Sequence, residues 1–140
     1  MIHKSHSVAD TERIAAELAR ELRAGDCIAL YGDLGAGKTQ FVRGIVTALG
    51  GEPASVSSPT FVLLNVYPTP TLRVFHLDAY RVSGAEDFEA IGFTELLEQG
   101  GVVAVEWPGR VEAILPKVHW SVRLNATGAT TRRIEIHRCS

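Results

Sequence analysis

Apolar positions along the chain recur with two periods, one near four residues and one near two, and the switches between them lay out the elements. Ile14, Leu18 and Leu22 stand four residues apart with Ala15 and Ala19 beside them, the stripe of an amphipathic helix. Ser7 or Asp10 can cap its start, and Gly25 stands where a C′ glycine would end it. Cys27-Ile28-Ala29-Leu30-Tyr31 is then a continuous apolar run, suited to a strand buried on both faces. Phe41, Val42, Ile45, Val46 and Leu49 return to helical spacing, and Gly50-Gly51 closes that helix. The runs 60–67 and 72–77 are both strand-like and are separated by Pro68-Thr69-Pro70-Thr71, which predicts an antiparallel hairpin. Residues 83–97 read as one or two short helices broken at Gly92, and Gly100-Gly101 introduce the wholly apolar strand 102–105. Pro108 opens a short helical piece that Pro116 ends. Runs 118–124 and 132–137 alternate polar and apolar around Thr127-Gly128, a second hairpin. The expected architecture is α/β, a mixed and mostly parallel central sheet flanked by helices, with antiparallel hairpins at its edges. No repeat, low-complexity tract or linker divides the chain, so one domain is expected over 1–140.

Chemistry concentrates where the first apolar strand meets the second helix. Residues 32–39 read Gly-Asp-Leu-Gly-Ala-Gly-Lys-Thr, the full G-x-x-x-x-G-K-[ST] phosphate-binding pattern with a strand before it and a helix after it. Gly32, Gly35 and Gly37 free the backbone to approach an anion closely, so that successive N–H groups point at phosphate oxygens. The helix N-terminus adds partial positive charge. The fold class sharpens to a single P-loop NTPase domain in which Asp33, Leu34, Gly35, Ala36, Gly37, Lys38 and Thr39 cradle the nucleotide. Lys38 is expected to reach the β- and γ-phosphates, and the Thr39 hydroxyl to ligate Mg²⁺.

Such a loop requires a carboxylate at the end of a neighbouring strand to hold the metal or its water shell. Glu106 follows the strand 102–105 and Asp78 follows the strand-like run 72–77, so both emerge at strand ends, where α/β ligand sites gather. Glu106 is the favoured metal-side acid, because its strand is wholly apolar and suits a central parallel position. Asp78 is then a candidate for orienting the attacking water; either acid can instead cap the element that follows it. Arg81 and Arg110 are the basic residues nearest in sequence to these acids. Trp107 reads as a stacking or core aromatic, and His76 as a packing residue within its strand. His3, His119 and His137 stand singly on strand-like segments and form no metal spacing.

Charge and cysteine content narrow the setting. Fourteen basic residues against sixteen acidic ones give a formal net charge of −2, no electrostatic footprint for wrapping nucleic acid unaided, so contact with RNA is expected to be shared with a partner. Two cysteines, Cys27 and Cys139, form no CxxC pair, and no apolar run approaches the roughly 18 residues of a membrane span. The polar first ten residues lack the layout of a signal peptide, so a cytoplasmic protein without a membrane partner is expected.

Four segments, GDLGAGKT at 32–39, SPTF at 58–61, HLDAYR at 76–81 and VEWP at 105–108, in this order and at these separations resemble the TsaE family. The resemblance covers nearly the whole chain from the first helix to VEWP and departs only at Gln40 and Gly109. It implies a weak ATPase of bacterial tRNA threonylcarbamoyladenosine biosynthesis, using ATP and Mg²⁺ and working with TsaB and TsaD proteins. The modified nucleoside is an adenosine beside the anticodon. The TsaD partner carries the transfer chemistry, and tRNA is met only indirectly. By the same resemblance Lys38 contacts phosphates, Thr39 and Glu106 are Mg²⁺ ligands, Asp78 is an acid important for activity, and Thr60 lies in a switch-like loop near the γ-phosphate.

Two other functions use the same loop. A small-molecule kinase needs an acceptor pocket and usually a basic lid, yet 79–101 carries Glu86, Asp87, Glu89, Glu95 and Glu98 against Arg81 alone. A nucleotide-gated module would hold ATP and act by conformation, without a group such as Asp78 positioning water productively.

Overall fold

The computed structural model describes residues 1–33, 35–57, 64–80, 85–90 and 92–140, leaving aside the side chains of Ala85 and Arg110. Its strands are β1 (Ile2–Ser5), β2 (Cys27–Tyr31), β3 (Leu64–Tyr67), β4 (Val74–Asp78), β5 (Val102–Glu106), β6 (His119–Ala126) and β7 (Arg132–Cys139). They form one seven-stranded sheet in the order β1-β7-β6-β2-β5-β4-β3. The four central strands β6, β2, β5 and β4 run parallel, and the outer pairs β3·β4, β6·β7 and β1·β7 are antiparallel. Both expected hairpins are present. The segment around His3 becomes the edge strand β1, paired with β7.

Helix α1 (Val8–Ala19) settles which residue caps it: the Ser7 hydroxyl accepts the Asp10 amide at 3.0 Å. Asp10 reaches back past the cap and accepts the His6 amide at 3.0 Å. Helix α2 (Lys38–Ala48) crosses α1 closely enough that a Cβ on Gly44 would lie 2.6 Å from the Glu12 carbonyl. A mid-helix glycine costs about 1 kcal/mol of propensity; here it admits the close crossing of α2 against Glu12 and Ala15 of α1. Two short helices, α3 (Ala85–Ala90) and α4 (Phe93–Glu98), lie on either side of Gly92 as expected. The segment from Pro108 to Pro116 forms two 3₁₀ turns, Pro108–Arg110 and Glu112–Ile114.

The central strands read as unbroken apolar runs because both sheet faces are covered. Ile28, Leu30, Val74, Ala104 and Val122 pack with Ile14, Leu18, Phe41 and Ile45 of α1 and α2. Cys27, Phe75, Leu77, Val103 and Val105 pack on the other face with Phe88 and Phe93. Burial pushes the Cys27 thiol up to about 12, so it acts as a small apolar group. Register carries this packing to the functional end of the sheet: Leu30 is level with Glu106, and Glu106 with Asp78. The glycine-rich loop leaves β2 two residues beyond that line.

Candidate functional site

The loop is shaped by close approach before any side chain acts. A Cβ on Gly32 would sit 2.8 Å from the Leu124 carbonyl of β6, and Gly37, with φ of 105°, turns the chain into α2. Only glycine takes both positions without strain. The Ala36 amide closes a turn on the Asp33 carbonyl at 3.0 Å. Asp33 and Gly35 are exposed, Ala36 is buried, and Gly37 and Thr39 are half-buried; Leu34 lies outside the described residues. Lys38 and Thr39 open α2, whose first turn leaves backbone N–H groups without helical partners.

Lys38 is drawn back across the loop. Its ammonium donates to the Gly32 carbonyl at 2.6 Å, lies 3.5 Å from the centroid of the Trp107 ring and stands 3.9 Å from Glu106 Oε1. Burial pulls its pKa down, while the charges of Glu106, Asp78 and Asp33 oppose that shift. Trp107 is therefore neither a core aromatic nor free. It takes a left-handed backbone conformation, φ 56° and ψ 53°, and its ring lies tilted against Tyr80.

Both acids are 4 % exposed. Asp78 Oδ1 accepts the Tyr80 amide at 2.8 Å, so this acid does cap the turn that follows it. Burial raises the Asp78 carboxyl above its ordinary range; the Tyr80 amide opposes the rise and the charge of Glu106 reinforces it. Glu106 Oε2 accepts a hydrogen bond from His76 Nε2. His76 thus belongs to the site, whereas sequence reasoning placed it in the packing. Strand alternation carries the signal: His76 is two residues from Asp78 and shares its face of β4. Arg81, Thr60 and the segment 58–63 lie outside the described residues, and of Arg110 only the backbone is described.

On the opposite flank a residue that no motif pointed to reaches the loop. From β7, Arg132 donates through Nε to the Ala36 carbonyl at 3.1 Å and through a terminal nitrogen to the Gly35 carbonyl at 3.0 Å. Its other terminal nitrogen is held by the Thr131 and Gly128 carbonyls at 2.9 and 3.2 Å. In a trans peptide the C=O and the following N–H point to opposite sides. Holding the Ala36 carbonyl outward therefore turns the Gly37 N–H the other way. Beside this clasp lies a cleft of about 350 Å³, lined among others by His6, Thr11, Gly37, Gln40 and Thr130.

The family model of the threonylcarbamoyl adenosine biosynthesis protein TsaE matches residues 5–134. The chain belongs to the TsaE family. It is 34 % identical over 137 residues to the tRNA threonylcarbamoyladenosine biosynthesis protein TsaE of Rickettsia prowazekii, covering 98 % of this chain and 94 % of that one. It is 38 % identical over 132 residues to the TsaE of Treponema pallidum, covering 94 % and 96 %. The crystal structure of YdiB from Bacillus subtilis superposes with a TM-score of 0.81 at 27 % identity, over 100 % of this chain and 86 % of that one. The YdiB fold thus matches this one along the whole of this chain. Among the described residues no helix is long and apolar enough to cross a membrane.

The donor set in this TsaE chain suits a hard divalent cation supplied with a nucleotide. Thr39 and Glu106 offer oxygen ligands, and Asp78 stands level with Glu106 on the adjacent strand. Among the described residues no three His, Cys, Asp or Glu side chains gather as a metal cage. Mg²⁺ commonly takes one or two protein oxygens and fills the rest of its shell with phosphate and water.

Proposed function

We propose that the chain binds ATP with Mg²⁺ and hydrolyses it slowly, in support of threonylcarbamoyladenosine formation on tRNA, together with TsaB and TsaD proteins. One observation carries the ATPase reading: a buried lysine and two buried acids, Lys38, Glu106 and Asp78, converge where a glycine-rich loop opens a helix. Lys38 would exchange the Gly32 carbonyl for the β- and γ-phosphates, a stronger partner for an ammonium than a neutral carbonyl. Loop N–H groups and the α2 N-terminus would hold the remaining phosphate oxygens. The cleft beside Arg132 would take ribose and base, on the flank away from the acids. Mg²⁺, held by Thr39 and Glu106, would neutralise charge on the phosphates. Asp78 would orient the attacking water through the carboxylate oxygen that Tyr80 leaves free. The transfer to tRNA belongs to the TsaD partner, and ATP turnover would reset the assembly between cycles.

Phosphate release from ATP by the purified chain, alone and with TsaB, TsaD and tRNA, tests this reading, with Lys38→Ala as the inactive control. The expected result is slow release that the partners accelerate, with multiple rounds of tRNA modification. Tight ATP binding without partner-dependent release would favour the nucleotide-gated module instead. That second reading draws on the Tyr80 amide, which engages one oxygen of Asp78.

A further inference from the structure

His76 is wholly buried, and nothing in the phosphate chemistry above uses it. Its neighbours are specific. A carboxylate only accepts, so the His76 nitrogen facing Glu106 Oε2 carries the proton, and a neutral imidazole then presents an unprotonated Nδ1. Opposite Nδ1, at 3.1 Å, is the hydroxyl of Tyr67, itself 3 % exposed. Burial raises the Tyr67 pKa, which keeps that hydroxyl protonated and able to donate. The Tyr67 oxygen in turn accepts the Ser57 amide at 3.3 Å. With the Tyr67 proton turned to His76, the bonds from the Ser57 amide to Tyr67, from Tyr67 to His76 and from His76 to Glu106 run the same way, and bonds so aligned polarise one another.

We propose that His76 is the positioning residue for the Glu106 carboxylate, and that through Tyr67 it links this carboxylate to the chain at Ser57. The inference rests on the Mg-ATP reading for its purpose and on the buried hydrogen bonds for its substance. Glu106 stands between two claims: Lys38, beyond hydrogen-bond reach at 3.9 Å, attracts Oε1, and His76 holds Oε2. Without His76 a buried carboxylate oxygen loses its donor, and the cheapest remedy is to swing toward the lysine and away from a metal position. Tyr67 adds a two-way point. Its hydroxyl also lies 3.0 Å from the Ser57 carbonyl, and its single proton serves either that carbonyl or His76 at one time. A displacement of the backbone at Ser57, which directly precedes the Ser-Pro-Thr-Phe segment, therefore reaches Glu106 by changing which acceptor Tyr67 serves.

The test is a Mg²⁺ titration of fluorescent ATP-analogue binding, run beside metal-free binding in EDTA. For His76→Leu the half-saturating Mg²⁺ concentration should rise about tenfold or more, as when a partner behind a metal ligand is removed, while metal-free binding stays within about twofold. In His76→Gln, whose side-chain amide can donate from a similar position, most of that loss should be recovered. Tyr67→Phe should give a smaller rise in the same direction. Ring ¹⁵N spectra should show His76 protonated at Nε2 and not at Nδ1, with Tyr67→Phe moving chiefly the Nδ1 signal. A folded His76→Leu variant with unchanged Mg²⁺ dependence, or the opposite tautomer in the spectra, overturns the proposal. If the leucine variant does not fold, His76→Gln, Tyr67→Phe and the spectra decide. A wild-type chain that binds no ATP would refute the ATPase reading, and the tautomer would still judge the relay.

Discussion

The glycine-rich loop between β2 and α2 is flanked by two regions that hold it by opposite means. On the β4–β5 flank the groups are buried charges facing one another: Lys38, Glu106 and Asp78, with His76 behind them. On the β6–β7 flank a single half-buried guanidinium, Arg132, spends its donors on backbone carbonyls of the loop and of its own hairpin. The first flank places Lys38 and Asp78, whose charged forms burial disfavours, an arrangement expected where a ligand will later supply compensating charge. The second satisfies neutral acceptors with a charged donor, an arrangement that stabilises structure whether or not a ligand is present. Chemistry and scaffolding are thus divided between the two sides of one loop.

The sharpest way to break the division is to remove the cation of the first flank. Lys38→Ala should lower the rate of phosphate release by about 10²- to 10³-fold, the cost of losing one preorganised donor to a developing anion. A rate within tenfold of wild type, measured under single-turnover conditions, would mean that loop N–H groups alone suffice. Asp78→Asn is next. It should bind the ATP analogue within about twofold of wild type yet release phosphate about 10²-fold more slowly, the usual worth of a positioned base. Normal turnover would move the water-orienting role to another group.

The two flanks also differ in how far the sequence reveals them. Lys38, Glu106 and Asp78 follow from local pattern, because a glycine-rich loop needs a helix behind it and acids at the ends of neighbouring strands. The sheet order then brings Leu30, Glu106 and Asp78 level. His76 was hidden by its own strand, since one polar residue inside an apolar run reads as tolerated packing until its partner 30 positions away is placed opposite it. Arg132 was out of reach for a stronger reason: it lies 97 positions from Gly35, in a hairpin that carries no motif, and only strand pairing brings it back to the loop. Trp107 illustrates a third case. Nothing local demands that a tryptophan take a left-handed conformation, and its contact with Lys38 comes from the bend after β5.

Arg132→Ala tests the scaffolding flank. Losing the clasp should weaken binding of the ATP analogue about fivefold to tenfold and lower stability by about 1 kcal/mol, as for loss of a charged hydrogen bond at a partly exposed site. Arg132→Lys should not restore binding, because one ammonium cannot replace the fork that holds the Ala36 and Gly35 carbonyls together. Full recovery by lysine would show that positive charge alone matters on this flank.

The smallest effect separates the flanks by sign. Burial raises the Asp78 carboxyl above its unfolded value of 3.8. The folded chain therefore holds that proton more tightly than the unfolded chain does. Its contribution to stability is present in full below 3.8 and is lost as pH rises through the raised folded value. At neutral pH, above the unfolded value, a penalty applies. Asp78→Asn keeps an oxygen for the Tyr80 amide and has no charge to desolvate, so it should melt a few degrees above wild type at pH 7. That gain should shrink as pH falls toward the ordinary carboxylate range. Arg132→Ala moves the melting temperature down at both pH values, since its guanidinium stays charged throughout. An Asp78→Asn variant less stable than wild type at pH 7 would mean that the carboxylate stabilises the empty site, and the contrast between the flanks would fail.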